Sequence, residues 1–231
     1  MKIICKNRWL MASFDVPQMV LSWAIHGGGR RAAQNIVWHQ VEDQELNLFV
    51  DAKDFLKQAL FENRIEDAVG MLTSADLNFY AHVEKSDSGI SANCVATVEM
   101  SNALRIGDAP RDIYPIGTIN LLCAVSVPMS EEAHFEALSL AVEARTAAVL
   151  EAGIASLESN LLATGTGTDC VVMATSLKPN AGEAIVNYSG KHTLIGSLVG
   201  KSVFEAVSLG LKQWKNQQLS QHKQPDQKVC V

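Results

Sequence analysis

Several things are missing from this sequence, and each absence removes a class of function. No block of Lys and Arg occurs, and the formal net charge is -6 with a sequence pI of about 5.5. An acidic chain without a basic patch is a poor partner for nucleic acid. No run reaches the ~18 uninterrupted apolar residues of a membrane-spanning helix. Asn7 and Arg8 interrupt the apolar N-terminus, so it does not read as a signal peptide. The five cysteines, Cys5, Cys94, Cys123, Cys170 and Cys230, are odd in number and scattered. They read as buried thiols of a cytoplasmic protein rather than a disulfide framework.

Ready-made catalytic motifs are absent too. There is no H-E-x-x-H and no C-x-x-C, so no zinc site and no metal is expected. His26 precedes three glycines, but without a G-x-S-x-G elbow this is not a lipase-type oxyanion loop. Gly196–Ser202, GSLVGKS, falls one residue short of a phosphate-binding loop because Ile195 stands where glycine is needed. In GTGTDC, Cys170 replaces the third glycine of a dinucleotide fingerprint. No cofactor is expected. No internal repeat and no domain linker is visible.

What is present is a globular composition, 48% hydrophobic and 19% charged, over 231 residues, enough for one sizeable domain. Residues 1–212 are expected to form that domain, with 213–231 a polar, Gln/Lys-rich tail that buries little. Strands are predicted over 8–14, 19–25, 34–41, 68–73, 78–84, 91–100 and 117–127. Trp9, Trp23 and Trp38 fall in the first three; core packing is the default, a flat apolar ligand face the alternative. A helix is predicted from Asp51 to Arg64, with Asp51 as N-cap. The longest helix is predicted to start at Ser130 and end at Gly153, with Phe135, Leu138, Val142 and Val149 as its buried stripe and Glu143 and Arg145 solvated. A last helix follows His192, with Gly196 and Gly200 one turn apart to allow close packing. Few strand–helix–strand alternations occur. The fold class expected is α+β (or α/β), a mixed or mainly antiparallel sheet covered by three main helices.

Two polar stretches stand against apolar elements. Thr164–Asp169, TGTGTD, precedes the strand-like CVVMA, and Ser189–Thr193 precedes the last helix. Such loops on rigid supports are where sites are built. The bland alternative is that Asp169 caps a turn and His192 caps its helix.

These pieces carry a resemblance. The glycine loop 27–29, LTSAD at 72–76, SNALRIGD at 101–108, GTINLL at 117–122, EART at 143–146, ATGTGTDCVVMA at 163–174 and SGKHTLIGSLVGKSVFEA at 189–206 follow one another as in the adenosylcobinamide amidohydrolases. ATGTGTD followed by a G-x-H-T helix start is the specific part. The resemblance implies hydrolysis of the amide joining aminopropanol to a corrin propionate arm, giving adenosylcobyric acid and 1-amino-2-propanol in corrinoid salvage for coenzyme B12 synthesis. The implied partner is a small-molecule corrinoid; the oligomeric state is left open. A corrinoid-binding module without catalysis is the alternative. The resemblance brings no catalytic set.

Amide hydrolysis needs a nucleophile, an acid for the leaving amine and donors for the oxyanion. His192 is the acid/base candidate. Asp169 is placed to activate water or orient it, and Thr168 to act as nucleophile or donor. Gly165, Thr166 and Gly167 offer hydroxyl and main-chain donors, Asn102 and Asn120 offer carboxamides, and Gly28 offers close backbone approach.

Overall fold

The computed structural model describes all residues except 43, 47–49, 111–115, 178, 180–183 and 222–231. Cys230, Pro115 and the end of the expected tail therefore lie outside the described residues.

The protein is α+β. Ten strands appear among the described residues: β1 (Lys2–Lys6), β2 (Trp9–Ser22), β3 (Gly29–Gln40), β4 (Val69–Thr73), β5 (Ala81–Asp87), β6 (Ile90–Val98), β7 (Ala103–Leu104), β8 (Ile119–Val125), β9 (Gly165–Thr166) and β10 (Cys170–Ser176). Three helices accompany them: α1 (Ala52–Glu62), α2 (Glu131–Ala152) and α3 (Leu194–Gln221). Eight strands form one sheet in the order β4-β3-β2-β10-β8-β6-β5, with β1 paired to β2. The β3–β4 and β8–β10 pairs are parallel and the rest antiparallel, so the sheet is mixed as expected.

The two strands predicted over 8–14 and 19–25 are one strand. Pro17 did not end it, because the register shifts between Ser13 and Gln18 and leaves the proline in an irregularity where no ladder hydrogen bond is required. Residues 2–6, unrecognised in the sequence, add β1 to its outer edge.

Strand β8 is buried at all seven positions, and its alternation divides the core. Ile119, Leu121, Cys123 and Val125 pack with α2 and α3, as do Val171 and Met173 of β10. Leu122 and Ala124, with Cys170, Val172 and Ala174, face inward against Trp38, Val69 and Met71 of the β2–β4 half. The sheet curls so that these halves face each other. Trp38 Nε1 donates to the Asn120 carbonyl at 3.4 Å, and Asn120 Nδ2 to the Leu72 carbonyl at 2.6 Å. Trp38 is fully buried, as core packing predicts; Trp9 stacks on His39, and only Trp23 is half exposed. Each such large apolar side chain contributes about 1.5–3 kcal/mol on burial.

The expected stripe of α2 holds for Val149, which is buried, and for Leu138 and Val142, which pack against the core, but not for Phe135. Phe135 is 52% exposed. Ala133, Ala137, Ala141 and Ala148 are buried instead, because small side chains let α2 approach both the sheet and α3. Helix α3 buries the predicted face, Ile195, Leu198, Val199, Val203, Ala206 and Val207. It is long and apolar enough to cross a membrane, yet 56% of its apolar window is buried in this fold. It also runs past residue 212, and Trp214 Nε1 donates to Glu99 at 2.8 Å. Gly196 lies against its own preceding loop: a Cβ there would meet the Gly190 carbonyl at 2.2 Å. Gly200 has open space, so the close-packing expectation fails there.

Candidate active site

Asp169 stands just before β10 and is the anchor of the TGTGTD loop. Its Oδ2 pairs with Arg145 Nη1 at 2.8 Å, the two side chains being 7% and 11% exposed. Oδ2 also accepts the Thr166 amide at 3.0 Å, while Oδ1 accepts the Ile119 amide at 3.0 Å and the Thr166 hydroxyl. A Cβ on Gly165 would come within 2.2 Å of Oδ2, so the glycine leaves room for the carboxylate to fold back beneath the loop. Arg145, expected on a solvated face, is buried instead because α2 carries it to this loop. The Asp169 carbonyl accepts from Trp23 Nε1 at 2.7 Å. Every oxygen of Asp169 is thus engaged by the fold.

Beside the loop lies a cavity of about 550 Å³. It opens where the inner-face residues Asn120 and Cys170 begin their strands and where β4 ends. Its walls are apolar: Ile25, Val41, Met71, Leu104 and Ile116. Its polar groups are Thr73, Ser74, Asn102, Thr118, Asn120 and Thr168, with Arg105 and Asp108 also lining it. This is the usual make-up of a small-molecule site.

Most of those polar groups are occupied. Thr168 Oγ1 donates to the Gly117 carbonyl at 2.9 Å, and Thr118 Oγ1 bonds both Asn120 Oδ1 and the Thr168 carbonyl at 2.9 and 3.0 Å. Two are not. Asn102, 4% exposed, has a buried Oδ1 without a hydrogen-bond partner, and so has Ser74 at its Oγ. Both line the cavity. Gly117 makes space for the first, since a Cβ there would lie 2.9 Å from Asn102 Oδ1. Buried polar atoms are rarely left unpaired, so these two oxygens are the candidate ligand contacts of the cavity.

The ionisable groups here are restrained. Burial, with the Asp169 carboxylate next to it, pushes the Cys170 thiol up to about 12, so it is not a thiolate at neutral pH. The Ser156 hydroxyl, then the Arg105 amide, hold the half-buried Asp108 carboxyl below its ordinary value. Among the described residues no group of three or more His, Cys, Asp and Glu could hold a metal ion.

Several expected site residues converge and others do not. Thr168, Gly167, Asn102 and Asn120 line the cavity; Gly165, Thr166 and Asp169 hold the loop beneath it. Gly28 does not line it: a Cβ there would meet the Ala24 carbonyl at 2.4 Å, so glycine serves the tight β2–β3 connection. His192 is exposed and lies with the loop that docks on the start of α2, where Ser189 Oγ donates to the Ala133 carbonyl and its amide to Glu136. The same loop reaches further along α2, where the exposed Lys191 pairs with Glu143. The cap of α3 is Thr193, whose Oγ1 accepts the Gly196 amide at 3.0 Å. Ser74, Arg105, Asp108 and Arg145 were overlooked as site residues, although LTSAD, SNALRIGD and EART all stand out in the sequence.

A family model described as adenosylcobinamide amidohydrolase (CbiZ) matches residues 1–219. The chain belongs to the adenosylcobinamide amidohydrolase family. Within the span of that match lie the whole cavity and both polar loops. An uncharacterized Methanocaldococcus jannaschii protein is 29% identical over 177 residues, 67% of this chain and 68% of that one. A Methanosarcina mazei protein named adenosylcobinamide amidohydrolase is 27% identical over 166 residues, 69% of this chain and 74% of the relative. Among solved structures, a Pyrococcus horikoshii protein aligns with TM-score 0.40 and 11% identity, covering 89% of this chain and 76% of its own. The L-aminopeptidase D-Ala-esterase/amidase of Ochrobactrum anthropi aligns with TM-score 0.39 and 12% identity, covering 90% and 81%. Neither structural likeness bears on the chemistry of this family member.

Proposed function

We propose that this protein hydrolyses the aminopropanol amide of adenosylcobinamide, releasing adenosylcobyric acid and 1-amino-2-propanol in cytoplasmic corrinoid salvage. One observation carries the proposal beyond family membership: the unpaired Asn102 Oδ1 and Ser74 Oγ in one cavity. A secondary amide presents one N–H donor and one C=O acceptor. Asn102 Oδ1 accepts the first, and the Ser74 hydroxyl donates to the second. Buried hydrogen bonds of this kind discriminate strongly, because an arm lacking the amide leaves both groups unsatisfied. The apolar walls hold the methylenes of the arm. Thr168, Asn120 and Thr118 fix the floor, and Asp169 with Arg145 positions the loop that supplies Gly167 and Thr168. The same hydroxyl, donating to the carbonyl oxygen, is the oxyanion donor that hydrolysis requires.

The test is incubation of purified protein with adenosylcobinamide, with mass analysis for adenosylcobyric acid and 1-amino-2-propanol. Many turnovers per protein are expected. One observation favours the alternative, a corrinoid-binding module. Among the described lining residues the ionisable groups are Arg105, Asp108 and Cys170, and the two acids are held away from neutral titration. Tight corrinoid binding with no aminopropanol released over hours would establish that alternative.

A further inference from the structure

Outside the cavity mouth lies a group of side chains that the fold does not use. Ile106 is 85% exposed and Leu161 56%, and Leu157 and Leu162 are about half exposed. Single exposed apolar residues are ordinary, but four on joined segments beside a cavity are a candidate binding surface. These four stand on two segments bonded to each other. Arg105 Nη1 donates to the Leu162 carbonyl at 2.9 Å, the Ile106 amide to Thr164 Oγ1 at 2.8 Å, and the Leu157 amide to the Ala103 carbonyl at 3.0 Å. The Ser156 amide reaches the Leu161 carbonyl at 2.9 Å. Asp108 ties the segments together, accepting the Arg105 amide at 2.7 Å and the Ser156 hydroxyl. The backbone is therefore a braced shelf, whatever side chains it carries. It continues into the cavity wall through Leu104, Arg105 and Asp108, and the β7–β9 ladder fastens it to the TGTGTD loop at Ala103–Thr166 and Leu104–Gly165.

We propose that Ile106, Leu157, Leu161 and Leu162 form a ledge on which the apolar face of the substrate's macrocycle lies while one amide arm occupies the cavity. The inference rests on the proposed function for the identity of the occupant. A cavity of about 550 Å³ accommodates an arm; a macrocycle fringed with many arms extends past the mouth and needs a flat apolar support there. The ledge supplies that support at the place where the arm enters. It contributes uniform binding, felt equally by substrate and transition state, and so acts on KM rather than on kcat.

The experiment compares wild-type protein with the double variant Ile106→Asp, Leu161→Asp, and with Ile106→Gln, Leu161→Gln should the first show a lowered unfolding midpoint. Steady-state hydrolysis of adenosylcobinamide, equilibrium dialysis against cobinamide, hydrolysis of N-(2-hydroxypropyl)propionamide, and sedimentation are measured. The expected result is a KM for adenosylcobinamide raised about tenfold or more with kcat within about twofold, an unchanged rate on the small amide, and an unchanged mass. An unchanged KM overturns the ledge, and so does a variant whose mass falls, which would make the surface an interface between copies. If the wild type releases no aminopropanol yet binds cobinamide, and the variant loses that binding, the ledge stands and the hydrolase reading falls. Absence of cobinamide binding by the wild type overturns both.

Discussion

The loops 164–169 and 189–193 look alike in sequence: each is short, contains Gly and Thr, carries titratable side chains (Asp169 in one, Lys191 and His192 in the other) and precedes a strongly apolar element. Their surroundings differ. The first leads into β10 with Gly167 and Thr168 exposed, its carboxylate saturated by Arg145 and three further donors, with a cavity at its side. The second precedes α3 and lies along the exposed side of α2, through Ser189 on Ala133 and Glu136 and Lys191 on Glu143, and His192 is exposed. Polar density at the mouth of an apolar element is therefore not enough to mark a site. What sets the first loop apart is a neighbouring cavity with polar atoms that the fold leaves unpaired. Around the first loop the same distinction repeats: Asp169 is satisfied and holds the structure, whereas the cavity-lining Asn102 and Ser74 each keep an unpaired oxygen.

The largest effect is expected from breaking the satisfied half. Asp169→Asn leaves Arg145 buried without its counter-charge, and removing one partner of a buried pair costs about 3–5 kcal/mol. Denaturant unfolding should show that loss, and the double variant with Arg145→Met should recover part of it. Turnover falls with it because the loop carrying Gly167 and Thr168 is displaced. An Asp169→Asn protein as stable as wild type but inactive would make Asp169 a reacting group instead.

Breaking the unsatisfied half should give the opposite profile. Asn102→Ala and Ser74→Ala remove no hydrogen bond from the fold, so each unfolding midpoint should shift far less than for Asp169→Asn. Turnover on adenosylcobinamide should fall about 100-fold or more, the scale for losing one positioned donor or acceptor at a developing charge. Stability loss without activity loss in either variant would remove that residue from the site.

How far the sequence disclosed this contrast follows from what a one-dimensional pattern can carry. The all-buried run of β8 and the apolar face of α3 were legible because period and hydrophobicity fix them locally. The TGTGTD loop was legible as a special backbone. That Asp169 is consumed by the fold was not, since Arg145 lies 24 positions away and reaches it only because α2 crosses the sheet. The buried alanine stripe of α2 was missed for a related reason: reading the largest apolar residues as the core ignores that close packing selects small ones. Ser74 carried a weak signal, two hydroxyl residues directly after an apolar strand. That its oxygen is unpaired depends on long-range packing that no local pattern records.

A smaller effect concerns acid. His134 is buried on α2 with Nε2 bonded to the Met173 carbonyl at 3.0 Å; burial, followed by nearby Arg30, lowers its pKa from the ordinary 6.5. A histidine held neutral in the fold binds its proton more readily when unfolded. Its contribution is therefore complete above about 6.5 and is lost as pH falls below that value toward the folded pKa. The slope for one proton is at most about 1.4 kcal/mol per pH unit. Unfolding midpoints between pH 7 and 5 should fall for wild type and fall less for His134→Gln.

The smallest effect is expected at the loop that sequence reasoning valued most. His192 is exposed, does not line the cavity, and does not cap α3, which Thr193 does. Proton transfer requires contact within hydrogen-bond reach or through one water, and His192 is not among the residues that line the cavity. His192→Ala should therefore change stability by no more than about 0.5 kcal/mol, as for an exposed position without special contacts. It should leave kcat on adenosylcobinamide within about threefold, far from the 10²–10⁴-fold, roughly, that removal of an acid/base group brings. Measured beside Thr193→Ala, which removes the cap and should lower stability by about 1 kcal/mol, the variant separates a structural loop from a chemical one. A hundredfold fall in kcat for His192→Ala at unchanged stability would return His192 to the reaction. It would then require the two loops to meet in an arrangement different from this one, and the contrast between them would dissolve.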